Sequence, residues 1–340
     1  MNISILGLGL IGGSLAKALK NSEQNLFISG WDKSEVTELA FNQKIIDKKN
    51  RDIIESLDSD IIFLCLPTNL SLKYFIELSS KLKSNQIITD VSGVKGIFET
   101  EWQKIKSGGY YIGGHPMTGK EKGGLTNSDS LLFENSLYLL SNKSEHLPCI
   151  NNFTDLIKLT GARIKFIDPY LHDKIIANVS HLPQVLAVSL INSIRENNHF
   201  EFAAGGFRDL TRIASSDFNV WEPLFLYNKK EVLSAIENFI NELHTIKNII
   251  DNEDLDLLKQ LFESSKNKRE SIPSNIKGFL NPVYDIYIFA EDKPGTLFKL
   301  TEVLYKNSIN IKDIELLKIR EGTGGTFRIS FETKETADRA

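Results

Sequence analysis

Three stretches carry residues whose types and spacing could do chemistry. Gly7-Leu8-Gly9-Leu10-Ile11-Gly12 is a G-x-G-x-x-G run that follows an apolar, β-rich segment and opens a helical one. In that setting Gly7 permits a tight turn, Gly9 lets the backbone approach a pyrophosphate, and Gly12 lets helix and strand pack closely. The helix N-terminus at Leu10 and Ile11 then offers free N–H groups to an anion. Asp32 closes the next β-rich run, near the ~20-residue spacing of a carboxylate that binds the adenosine ribose. It accepts the 2′-OH and repels a 2′-phosphate, which favours NAD over NADP, while Lys33 beside it softens that repulsion. A Gly-rich turn without a ligand and a merely solvated aspartate are the plainer readings.

The second stretch is GGHPMTGKEKGG, residues 113–124. His115 follows the run YYIGG, at what would be the carboxyl end of a strand, where ligands bind in open parallel sheets. Glycines around it are expected to leave room for a substrate, and a ring titrating near neutrality suits a base. A structural histidine is the alternative. The third set lies further on: VSHLPQVLA holds His181, and AAGGFRDLTRIASSD holds Arg208, Asp209 and Arg212 after a glycine pair. Two arginines there suggest an anion site, since a guanidinium grips a carboxylate through two parallel N–H bonds. A structural pairing with Asp209 is the competing reading, and one of the two arginines is expected to be structural.

The elements that must position these groups follow from periodicity. Strands are expected at 3–9, 26–32, 60–67, 86–92, 110–116, 136–141 and 162–168, with helical spacing between them, as in a parallel sheet wrapped by helices. After Asp168-Pro169 long segments of period near 3.6 take over; Val232, Ile236, Phe239, Leu243, Ile246 and Ile250 form one stripe, read equally as core or as subunit interface. SIPSNIKGFLNP reads as a linker, and a last unit runs strand, helix, strand, strand and the start of a second helix. The expected division is a dinucleotide-binding domain at 1–167, a helical substrate and dimerisation domain at 168–270, a linker at 271–282 and an α+β unit at 283–340.

Composition narrows the classes. A chain of 340 residues suggests two or three domains. The net charge of -4, with lysines scattered among acids, argues against a nucleic-acid partner. Glycines interrupt the apolar N-terminus, whose lysines follow the apolar run, so it does not read as a signal peptide. No unbroken apolar run approaches the ~18 residues that would span a bilayer. Two isolated cysteines, Cys65 and Cys149, fit a reducing cytoplasm. None of the six histidines forms H-x3-H or H-E-x-x-H, so no metal is expected, and no G-x-S-x-G elbow makes Ser92 or Ser180 a nucleophile.

Taken together, GLGLIGGSLA, DVSGVKG, GGHPMTGKEKGG, VSHLP, GGFRDLTRIASSD and Trp221 resemble the prephenate dehydrogenase family in order and spacing over nearly the whole chain. The final unit, AEDKPGTLFKLTEVLYKNSINIKDIE, resembles an ACT domain of ferredoxin-like α+β type, carried by some members. The resemblance implies a Rossmann sheet, an all-helical dimerisation domain and oxidative decarboxylation: hydride leaves C4 of prephenate for NAD, the ring carboxylate leaves as CO₂, and 4-hydroxyphenylpyruvate results. It implies that His115 takes the hydrogen bond or proton of the 4-hydroxyl, that Arg212 holds a substrate carboxylate, and that His181 orients the substrate. Gly205 and Trp221 match positions at the substrate pocket, and Glu121 matches an acidic residue near the entrance.

Two departures stand out. The family commonly has Gly-Ser-Val-Lys, its serine bonding the substrate hydroxyl, whereas this chain has Ser92-Gly93-Val94-Lys95, so Ser92 is the candidate for that role; Lys120 replaces a small hydroxyl residue. The ACT-like unit is short, which reads as an incomplete chain. The family pattern implies tyrosine as feedback ligand, and a homodimer is expected because a helical domain appended to an α/β domain often dimerises. Three rivals remain: an arogenate dehydrogenase, a β-hydroxyacid-type dehydrogenase with Lys95 as its catalytic group, and a non-catalytic sensor of NAD and an amino acid.

Overall fold

The computed structural model describes residues 1–22, 24–120, 122–272, 283–320 and 323–340. It divides into two compact units, Met1–Asn252 and Glu253–Ala340. Glu121 and all but the first two residues of the expected linker lie outside the described residues.

The first unit is built on eight strands: β1 (Asn2–Leu6), β2 (Phe27–Trp31), β3 (Lys48–Lys49), β4 (Ile61–Leu64), β5 (Ile87–Asp90), β6 (Tyr110–Pro116), β7 (Leu137–Ser141) and β8 (Arg163–Ile167). Their order is β3-β2-β1-β4-β5-β6-β7-β8. The first six are parallel and follow the doubly wound order that places a dinucleotide where β1 and β4 diverge. Alternation builds both faces. In β4, Ile61 and Phe63 enter one core and Ile62 and Leu64 the other. The first core is closed by α1 (Leu10–Lys20), through Leu15 and Leu19, together with α2 (Ser34–Asn42) through Ala40. The second is closed by Phe75 and Leu78 of α3 (Thr68–Ser79) and Phe98 of α4 (Gly96–Trp102).

The sheet is not parallel throughout. β7 runs antiparallel to β6, and β8 is parallel to β7. A parallel neighbour needs a crossover of about a dozen residues or more, usually helical, whereas an antiparallel one needs only a return. The described residues of 117–136 include a three-residue helical turn, Leu125–Asn127, and carry the chain back to β7, which reaches β8 through α5 (Ile150–Lys158).

Asp168 ends the alternation by capping α6 (Pro169–Ile176): its carboxylate accepts from the backbone N–H groups of Tyr170 and Leu171, and Pro169 fixes the first helical φ. A π-helical turn, Ala177–His181, joins it to α7 (Leu182–Ser193). Then come α8 (Gly205–Thr211), α9 (Phe218–Tyr227) and α10 (Lys229–Asp251); Leu182 of α7, Phe225 of α9 and Val232, Ala235 and Ile236 of α10 pack with Ala177. Of the α10 stripe, Val232 is buried and Ile236, Phe239 and Ile246 are half-buried, whereas Leu243 and Ile250 are 50% and 58% exposed. The stripe is therefore core at one end and uncovered at the other. The run Pro169–Ser193 is long and apolar enough to cross a membrane by length and composition; it also carries the buried polar residues His172, Asp173, His181 and Gln184.

The second unit opens with α11 (Leu255–Glu270). β9 (Tyr284–Glu291), α12 (Thr296–Lys306), β10 (Asp313–Arg320), β11 (Gly324–Phe331) and α13 (Lys334–Arg339) follow. The strands pair antiparallel in the order β10-β11-β9, as do the first three strands of a ferredoxin-like unit. Leu304, Ile309, Ile329 and Phe331 form its core.

Candidate active site

The glycine motif forms a cradle at the β1 end of the sheet. Gly7 has φ +97, and a Cβ there would lie 2.6 Å from the Cys65 carbonyl, so only glycine suits the turn. A Cβ on Gly12 would fall 1.9 Å from the Gly7 carbonyl oxygen, whereas one on Gly9 meets nothing within 4 Å. Gly9 is thus the open face of the loop. It also caps α1, which has no side-chain cap and no acidic residue in its first turn, so the N–H groups near Leu10 and Ile11 and the positive helix end are not neutralised from within. Asp32 stands beside them: its Oδ2 accepts the Leu8 N–H at 2.6 Å and its Oδ1 the Lys33 N–H at 2.6 Å. Lys33 meets the carboxylate through its backbone. These residues fit a dinucleotide, with pyrophosphate over Gly9 and ribose at Asp32.

Further along the sheet edge, β6 changes neighbour. Through Gly113 it pairs with β5, and from Gly114 to Pro116 it pairs with β7. His115 therefore lies just past the end of β5, where the chain leaves as Val91-Ser92-Gly93. A Cβ on Gly93 would come within 3.8 Å of His115 Nε2. The glycines preceding His115 do not leave room for a substrate, contrary to the sequence expectation. A Cβ on Gly113 would meet the Tyr111 hydroxyl at 2.8 Å, and one on Gly114 the Asp90 carbonyl and Tyr138 ring at 2.9 Å. They let the strand pack; Gly119, beyond the strand, is open.

His115 Nδ1 lies 2.8 Å from His172 Nε2, and His172 Nδ1 lies 2.8 Å from Asp173 Oδ1. Asp173 is anchored in turn by the N–H groups of Lys95, at 2.7 Å, and Gly96, at 2.8 Å. Burial, reinforced by His172, Lys95 and His181, holds the His115 pKa well below that of an ordinary histidine. Burial also lowers that of His172, against the pull of Asp173. Beneath the rings Lys95 Nζ is paired with Asp90 Oδ2, both side chains buried, and burial lowers the lysine's pKa. Asp90 further accepts the Tyr111 O–H and the Ser92 N–H, each at 2.9 Å. Ser92 itself is buried, and its hydroxyl has no hydrogen-bond partner among the described residues.

His181, delivered by the π-turn, is 1% exposed. Its Nδ1 faces the Asn228 amide at 3.3 Å, and that amide also donates to the Asp173 carbonyl at 2.8 Å. Burial pushes the ring's pKa down to about 4. Trp221 stands edge-on to it, with centroids 6.1 Å apart, and stacks on Phe225. The structure thus gathers His115, Ser92 and His181, with Trp221 against the last. It leaves Gly205, at the start of α8, and Arg212, just beyond that helix, on an exposed segment. Arg208 donates its Nε–H to the Ala203 carbonyl at 3.1 Å. Lys120, the departure from the family pattern, pairs with Asp129 at 3.0 Å. His172, Asp173 and Asn228 had no sequence signal beyond residue type: no motif spacing ties them to His115.

A doubly wound sheet with an open glycine cradle, joined to helices that bring buried neutral histidines to its edge, defines a dinucleotide-dependent dehydrogenase. Family models describe residues 15–166 as a prephenate dehydrogenase nucleotide-binding domain, 168–264 as a prephenate dehydrogenase dimerization domain and 284–340 as an ACT domain. The chain belongs to the prephenate dehydrogenase family. It is 32% identical to the Bacillus subtilis (strain 168) prephenate dehydrogenase over 348 residues, 99% of this chain and 94% of the relative. The Lactococcus lactis prephenate dehydrogenase is 35% identical over 347 residues, covering 99% and 96%. Among solved structures, the Aquifex aeolicus prephenate dehydrogenase with hydroxyphenyl propionate and NAD+ superposes with a TM-score of 0.73 at 31% identity, covering 80% of this chain and 98% of that one. Synechocystis arogenate dehydrogenase superposes at 0.69 with 26% identity, covering 80% and 100%.

Proposed function

We infer that the chain catalyses the NAD-dependent oxidative decarboxylation of prephenate to 4-hydroxyphenylpyruvate. The observation that carries this reading is a neutral histidine, His115, at the open end of β6 in a family whose curated relatives from B. subtilis and L. lactis are prephenate dehydrogenases. NAD, when bound over Gly7, Gly9 and Gly12 with its ribose at Asp32, supplies the hydride acceptor. His115 takes the proton of the substrate 4-hydroxyl at Nε2 as the C4–H bond breaks, and Ser92 donates to or accepts from the same oxygen. Because Asn228 donates to Nδ1 of His181, that ring carries its proton on Nε2 and offers an N–H to a substrate oxygen. Arg212 holds a substrate carboxylate, Gly205 and Trp221 line the pocket, and Glu121 stands near its entrance. Loss of the ring carboxylate as CO₂ then yields the aromatic product.

In this reading residues 1–167 bind the dinucleotide, 168–270 complete the substrate site and dimerise, and 283–340 regulate. A homodimer is favoured by the uncovered apolar face of α10, where Leu233, Ile240, Leu243 and Ile250 recur at gaps of seven, three and seven. Tyrosine is the feedback ligand we assign to the ACT unit, which holds a cavity of about 470 Å³ beside the N-terminus of α12 and Gly324. The enzyme is placed in the cytoplasm.

The test is absorbance of NADH at saturating NAD with prephenate and arogenate varied in parallel. Turnover of prephenate alone supports the reading. Turnover of arogenate alone keeps the chemistry and overturns the substrate; silence with both, alongside tight NAD and tyrosine binding, replaces the enzyme with a sensor.

A further inference from the structure

The contacts of His115 specify which of its nitrogens carries the proton. An ionised carboxylate can only accept. Asp173 Oδ1, 2.8 Å from His172 Nδ1, therefore places the proton of neutral His172 on Nδ1 and leaves its Nε2 as a lone pair. That lone pair faces His115 Nδ1 at 2.8 Å, so the proton of His115 sits on Nδ1 and its Nε2 is bare. Nε2 is the nitrogen turned towards Gly93. The chain of acceptors is rigid at its far end, because both oxygens of Asp173 are held by the backbone where α4 begins. It is also shielded: His172 is fully buried, and the Lys95 ammonium beneath it is paired with Asp90.

We propose that His172 and Asp173 are positioning residues that fix His115 in its Nδ1–H tautomer, so that Nε2 meets the substrate hydroxyl as an acceptor. The proposal rests on His115 being the base, and it adds what keeps that base in the competent form. Without the His172 lone pair the ring is free to carry its proton on Nε2, where it would donate to the hydroxyl it must deprotonate.

Two readouts test it. In protein labelled with ¹⁵N-histidine, His115 in the wild type should show a protonated Nδ1 and an unprotonated Nε2, and His172→Leu should move the proton to Nε2. In steady-state assays with prephenate and NAD, His172→Leu should lower kcat about 100-fold, within the range of general-base effects. Its prephenate KM should stay within about threefold, as expected for an interaction made in the transition state. His172→Gln, whose carbonyl can accept from Nδ1–H while its amide donates to Asp173, should recover about tenfold of that loss. A wild-type His115 protonated on Nε2 overturns the proposal. So does a Leu variant with wild-type kcat, or a Gln variant no better than Leu with both folded. Near-normal turnover of His115→Asn would instead remove the base reading, and the nitrogen signals would still decide the tautomer.

Discussion

Replacing Lys95 with methionine separates structure from chemistry at this site. Lys95 and Asp90 are 2% and 0% exposed, and their ion pair lies under the catalytic edge of the sheet. Breaking a buried pair from one side costs about 3 to 5 kcal/mol, since the remaining charge is left uncompensated. Asp90 would keep the Tyr111 O–H and Ser92 N–H at 2.9 Å, which argues for the lower end, about 3 kcal/mol. Methionine also preserves the contact with Phe98, over whose ring the ammonium now lies at 5.1 Å. With an m-value of about 3 kcal/mol/M in urea, the midpoint should fall by about 1 M. Tryptophan fluorescence reads this directly, because Trp31, Trp102 and Trp221 all lie in the first unit. Adding Asp90→Asn should recover much of the loss by removing the stranded charge. The folded single variant should retain turnover within about tenfold, since His115 and not the lysine is assigned the proton transfer. A folded Lys95→Met protein with an unchanged urea midpoint and turnover down by about 100-fold would refute the reasoning and give the lysine the chemistry.

Other expectations follow from the same geometry. His115→Ala should cut kcat by about 10² to 10⁴, measured by NADH formation, and near-normal turnover would end its role as base. Because burial holds the pKa of His115 below 6.5, the neutral, active form persists as pH falls through that value; kcat should stay level from pH 8 to 6.5 and decline only at lower pH. His181, with its pKa lowered to about 4, contributes stability that is complete above pH 6.5 and lost progressively as pH falls towards 4, so urea midpoints at pH 7.5 and 5 should differ in that direction. Asp32→Ser should raise the KM for NAD about 10- to 100-fold, as expected when a hydrogen bond to a charged group worth about 1.5 to 3 kcal/mol is lost, and narrow the gap to NADP. Ile240→Asp with Leu243→Asp should shift sedimentation from dimer to monomer; an unchanged mass would move the interface elsewhere.

Much of this was legible because alternation and glycine spacing are local properties. All seven expected strands form. β3 was missed because Lys48-Lys49 is a two-residue edge strand without an apolar face. The reversal at β7 was not legible, since a period of two carries no direction. At the site, the Gly7–Gly12 cradle, Asp32 and His115 could be read from motif and context. The His172-Asp173 pair could not: in PYLHDKII it looks like any polar pair on a helix, and its partner is 57 residues away in sequence. Gly113 and Gly114 were misread for the complementary reason, because whether a glycine opens space or fills a tight contact depends on Tyr111, Tyr138 and Asp90 across the fold.

The contact between His115 and His172 has a consequence for evolution by domain exchange. The family models meet near residue 167, between the strand that carries His115 and the helix that carries His172. A recombination at that junction would keep all eight strands of the sheet together and still pair the His115 ring with a foreign helix. On the tautomer role proposed for His172, lineages that trade nucleotide-binding halves must inherit α6 with them, or re-evolve its inward face, before the hybrid can turn over.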